Sequence, residues 1–167
     1  NIGTIQYGLG NYASAAAAYE GSLLIRPVSA VTYRNLGDAY THLGRKEDAR
    51  RAYLKAVEQA QEAVSISPNA RDIARLAVYQ AKAGDDAAAM RSLKRAQAMS
   101  RDDQQVLQRA GVVHALAGRT GLALEMLERA IANGYSKRLI AADEDFAILR
   151  PMPRFAAMVS TQAEVTR

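Results

Sequence analysis

The chain of 167 residues has no cysteine and no tryptophan, and only four prolines and two phenylalanines. Lacking cysteine, it can have no disulfide framework, no thiolate metal site and no cysteine nucleophile, and this lack is compatible with either redox environment. No apolar run approaches the ~20 residues that a membrane-spanning helix requires. Residues 1–20 also lack the basic stretch leading into a hydrophobic one that marks a secretory leader. Membrane insertion of this segment is not expected. The two histidines, His42 and His114, are far apart, and neither has a second histidine at ligand spacing. Serine hydroxyls occur without a recognisable base and orienting acid. No metal, cofactor or catalytic group is therefore expected, and the chain does not read as an enzyme.

What the chain does have is 49% apolar and 23% charged residues, the composition of a folded protein. The formal charge of +5, carried mostly by arginine, gives a weak attraction to acidic partners. No basic block interleaved with aromatics accompanies it, so nucleic acid is not the expected partner.

A small vocabulary recurs along the chain. Gly10, Gly44, Gly84 and Gly118 are separated by 34, 40 and 34 residues, and each is followed five positions later by an alanine: Ala15, Ala49, Ala89 and Ala123. The same intervals relate Tyr19, Tyr53, Leu93 and Leu127, and also Gly3, Gly37, Ala77 and Gly111. Several columns sharing one set of intervals do not arise from composition alone. A period in the thirties marks stacked units, none of which can bury its apolar face without neighbours. Function is then expected on a surface.

Within the second unit, Val31, Tyr33, Leu36, Gly37, Tyr40 and Leu43 follow three-and-four spacing, which places most of them on one face of a helix. Gly44 breaks that helix, and Ala49, Ala52, Tyr53, Ala56, Val57 and Ala60 resume the period in a second. Gly37 costs roughly 1 kcal/mol against alanine inside a helix. Close approach to Ala49 and Ala56 is the expected compensation, with tyrosines filling the wider gaps. The 40-residue step implies six extra residues, which the unbroken stretch before Pro68 assigns to the second helix of this unit. At 1.5 Å per residue they add roughly 9 Å, so the array should protrude there. Pro27 and Pro68 read as helix stops, Asn133-Gly134 as a left-handed cap, and Asp85 with Asp102 or Asp103 as N-caps. The Gly8-Leu9-Gly10-Asn11-Tyr12-Ala13 run fits a loose dinucleotide fingerprint, but it follows a helix rather than a strand, and Gly10 is already explained by the shared turn.

Tyr33, Leu36, Gly37, Tyr40, Gly44, Ala49, Tyr53 and Ala56 resemble the tetratricopeptide repeat signature, and the other units carry the same columns over about residues 1–135. The resemblance implies an all-α fold, an α-solenoid with a right-handed superhelix of about four helical hairpins. The expected division of a single domain, 1–167, is into repeats 1–29, 30–69, 70–103 and 104–135 and a cap 136–167. Gln6, Gln80 and His114 depart from the pattern where Tyr40 stands, so looser contacts or exposed polar groups are expected there. After Tyr135 the period fails, and Leu139, Ile140, Phe146, Ile148, Leu149, Phe155, Met158 and Val159, with short breaks at Pro151 and Pro153, read as short helices that cover the last repeat. The run Asn133-Gly134-Tyr135 through Phe155 resembles the ending of bacterial arrays of this family, which implies a bacterial source and an upstream module.

By the same resemblance, the first helix of each repeat lines the concave face. This selects Arg34, Asn35, Asp38, His42, Arg71, Arg75, Lys82 and Arg109 as peptide-binding residues. Asn35, Arg71 and Arg75 resemble members of a carboxylate clamp. The implied partner is a protein or peptide segment, acidic or carboxylate-ended, since guanidinium forks hold carboxylates at two points. The alternative is an oligomerisation, assembly or regulatory spacer of a larger bacterial protein, with self-association.

Overall fold

A computed structural model describes residues 2–25 and 29–160. Asn1, the expected stop at Pro27 and the last seven residues of the expected cap lie outside the described residues. Helices follow one another in pairs: α1 (Ile2–Gly8) with α2 (Tyr12–Ile25), α3 (Ala30–His42) with α4 (Lys46–Ile66), α5 (Ala70–Lys82) with α6 (Asp86–Met99), and α7 (Gln104–Leu116) with α8 (Thr120–Ala132). Short α9 (Lys137–Ala142), a 3-10 segment (Glu144–Leu149) and α10 (Pro153–Val159) close the described chain. No strand occurs among the described residues. The architecture is an all-α solenoid.

Chain reversal depends on the recurring glycine. Gly10, Gly44, Gly84, Gly118 and Gly134 all have φ between 70° and 95°. At the first four a side chain would have open space around it, so glycine is required there for its conformation rather than for room. In each turn the amide three residues after the helix caps the carbonyl five residues back, as Arg45 N donates to Tyr40 O and Asp85 N to Gln80 O. Side-chain caps mark several starts: Asp85 accepts from Ala88 N, Asp103 from Gln105 N and Val106 N, Asn69 from Asp72 N and Ser29 from Thr32 N.

Gly37 has a different cause. A Cβ placed there would lie 2.4 Å from Cε1 of Tyr53, so the tyrosine ring, rather than Ala49 and Ala56, is what the glycine admits. The same pairing joins Gly3 to Tyr19 and Gly111 to Leu127.

The extra residues do lengthen α4, which has 21 residues against 14 in α6 and 13 in α8. Stacking is uneven around it: α5 packs closely along α7, whereas α3 meets α5 only weakly. This opens the inner face between the second and third pairs. The polar substitutes for Tyr40 are not exposed as expected. Gln80 and His114 are buried, and His114 Nδ1 accepts from Arg119 Nε at 3.0 Å. That arginine stands in register with Arg45, whose guanidinium lies 4.2 Å from the centre of the Tyr40 ring. The basic residue after the turn thus covers whichever ring its own unit presents.

At the far end Ile140, Phe146, Leu149 and Phe155 are buried in one cluster with α7 and α8 residues such as Leu107, Leu124 and Leu127. Phe146 and Phe155 lie 6.4 Å apart, centre to centre. The aperiodic segment therefore covers the end of the last pair.

Candidate functional site

The gap between α3 and α5 forms a cleft of 740 Å³, lined among others by Tyr7, Asn35, His42, Leu116, Glu144 and Ile148. Its floor is an ion network. Arg34 Nη2 donates to Asp145 Oδ2 at 3.0 Å. Arg34 Nε lies 2.8 Å from Asp38 Oδ2, a charge contact too bent to be a hydrogen bond. Lys82 Nζ donates to Asp38 Oδ1 at 2.9 Å and to Asp145 Oδ1, and Tyr53 Oη donates to Asp38 Oδ1 at 2.8 Å. Lys82 and Asp145 keep only 7% and 10% of their side-chain surface exposed, so this is an interior cluster closed by the 3-10 segment from far along the chain.

The electrostatics follow from that closure. Burial opposes the charge on Arg34, but Asp38 and Asp145 outweigh it and hold its pKa above the ordinary value. Burial likewise opposes the charge on Asp145, and Lys82 and Arg34 together bring it below the usual carboxylate range. Asp143 goes the other way: burial, reinforced by Asp145, raises its carboxyl. Asp143 also accepts from Asp145 N and from Gln108 Nε2, so it caps the 3-10 segment and ties it to α7. Burial, with Asp38 next, also raises the Tyr7 hydroxyl.

At the mouth, the Tyr12 ring stacks on His42 at 4.1 Å, and Tyr7 stands edge-on to both at 5.3 and 5.5 Å. The exposed His42 is therefore an edge residue of an aromatic group.

Arg71, Arg75 and Arg109 form a second cluster, where α5 lies along α7. Arg71 Nη2 pairs with Asp103 at 2.9 Å and Arg75 with Asp72 at 3.1 Å, both more than a third exposed on the arginine side. Arg109 donates to Arg71 O at 3.1 Å and to Gln105 Oε1 at 3.2 Å. Among the described residues no carboxylate pairs with it, and burial followed by Arg75 lowers its pKa. The ring of Tyr79 is close enough to Arg75, Arg34 and Arg109 to feel all three charges.

The eight sequence-selected residues thus divide. Arg34, Asn35, Asp38, His42 and Lys82 share the cleft; Arg71, Arg75 and Arg109 share the α5–α7 surface. Asn35 meets Arg34 at 3.5 Å and lines the cleft, so the three clamp-like residues fall into two groups. Asp143, Glu144 and Asp145 were not selected. They stand outside every repeat column, and their one sequence signal is three consecutive acids in the aperiodic segment.

The sequence model of the tetratricopeptide repeat matches residues 30–63, the α3–α4 pair. With the same hairpin and the same columns recurring along the chain, the protein is a tetratricopeptide repeat protein. Solved structures with a similar course include MamA, at 17% identity and a TM-score of 0.38 over 80% of this chain and 94% of that one. Another is YrrB, described as a repeat protein of this family with an unusual peptide-binding site, at 17% identity and a TM-score of 0.45 over 93% and 78%. No curated protein matches the chain. Repeats of this family serve protein–protein interaction in general. No described helix is long and apolar enough to cross a membrane.

Proposed function

We propose that the chain binds an extended segment of a partner protein along its inner face, and that Arg71, Arg75 and Arg109 receive acidic side chains or a terminal carboxylate of that segment. The observation that carries this reading is Arg109, a half-buried guanidinium with only neutral acceptors beside two further arginines. A carboxylate arriving there meets a charge-assisted, two-point partner whose desolvation is already largely met by the fold. Arg34 and Lys82 play a different part: Asp38 and Asp145 neutralise them, so Asn35, His42 and the cleft mouth contribute shape and neutral polar contacts to the same segment. The unit that binds is the whole array, 1–167, with repeats 1–29, 30–69, 70–103 and 104–135 and the cap 136–167.

The test is calorimetry against a partner recovered by pull-down, with Arg71→Glu and Arg75→Glu combined. Both side chains are substantially exposed, so the variant should fold. Several-fold weaker binding that also falls with salt is expected. Unchanged affinity in a folded variant rejects the site.

A further inference from the structure

The side of α1 turned away from α2 carries Ile2 and Ile5, which are 71% and 62% exposed. Gly3, between them in sequence, is buried against the Tyr19 ring of α2. One side of this helix is covered, and its apolar other side is bare.

The repeat intervals put Ile2 in register with Leu36, Leu76 and Ala110, and Ile5 with Ala39, Tyr79 and Val113. All six are apolar, and none is more than 6% exposed. Each of the helices that carry them packs on the preceding pair as well as on its own partner: α3 on α2, α5 on α4, and α7 on α5 and α6. The bare side of α1 is therefore the next step of an interface that the molecule already forms three times. No charged residue occurs before Glu20, whereas a face built for water usually carries charge.

The two ends of the array differ. Phe146, Leu149 and Phe155 are spent on closing the far end against α7 and α8. No such device covers α1 among the described residues. A second copy stacked head to tail has no open last pair to offer, because α10 and the 3-10 segment already pack on α8.

From this continuity we infer that the α1 face is a docking surface for a further helical hairpin of the same kind, supplied by the preceding part of the same polypeptide and stacked as α3–α4 stacks on α5. This inference is independent of what the inner face binds.

Hydrogen exchange on the natural polypeptide, with the residues that precede position 1, tests it. Amides 2–8 should be protected at every concentration at monomeric mass. Ile5→Glu should remove that protection and lower the unfolding midpoint by roughly 5 °C, the response of a core position rather than a surface one. Fast exchange of amides 2–8, or an Ile5→Glu variant with an unchanged midpoint, overturns the proposal. So does protection that rises with concentration alongside a doubled mass, which assigns the face to a second copy.

Discussion

Replacing Asp145 by alanine would remove the carboxylate that joins the 3-10 segment to α3 and α5. Leaving a buried ion without its partner costs about 3–5 kcal/mol. Here Asp38 stays 2.9 Å from Lys82 and 2.8 Å from Arg34, so one carboxylate still serves two cations. About half that cost is expected, roughly 2 kcal/mol, or a midpoint lower by ~4–8 °C for a protein of this size. The pKa of Asp145 is depressed in the folded state. Its contribution is present above the unfolded carboxylate pKa and is lost as pH falls through the lower folded one, so the gap between wild type and variant should close in acid. Urea unfolding at neutral and acidic pH measures this, and a double-mutant cycle with Lys82→Met should give a coupling of about 1 kcal/mol or more at neutral pH. Additivity within about 0.5 kcal/mol, or a gap that does not change with pH, would refute the network as described.

Two glycines give opposite expectations. Gly37→Ala forces its new methyl into Tyr53 and should cost about 1–3 kcal/mol, while Gly21→Ala, inside α2 with nothing within 4 Å, should add about 0.5–1 kcal/mol. Urea midpoints in the reverse order would contradict the packing argument. Asp143→Asn should be neutral to stabilising at neutral pH. With its carboxyl raised, native Asp143 holds its proton more tightly folded than unfolded, so its contribution weakens as pH rises out of the ordinary carboxylate range. Stability followed against pH should lose that decline in the variant, and an unaltered profile would count against it.

The repeat, the helix pairs, the long α4, the glycine turns and the left-handed cap at Gly134 were all legible in the sequence, because each is a local consequence of period, turn chemistry or interval. Gly37 was legible as a close-packing position but not in its partner: spacing shows that something must approach, and only the geometry shows that Tyr53 does. The burial of Gln80 and His114 was misjudged because a polar residue in an apolar column reads as exposed when its cover, such as Arg119 over His114, comes from beyond the turn. The candidate site was legible only in half. Helix columns picked out Arg34, Asp38, Lys82 and the α5–α7 arginines, but the second acid that neutralises Arg34 and Lys82, Asp145, lies in the aperiodic segment, where no column predicts its contact with Arg34 across more than a hundred residues.

The central claim is that partners meet the inner face where α5 lies along α7. Backbone amide and side-chain guanidinium NMR, recorded while the partner segment is added, tests it most directly. The account predicts the largest shifts at Arg71, Arg75, Arg109 and Tyr79, with α3 following and the outer helices α4, α6 and α8 unchanged. Shifts concentrated on those outer helices, with the three arginines silent, would contradict it.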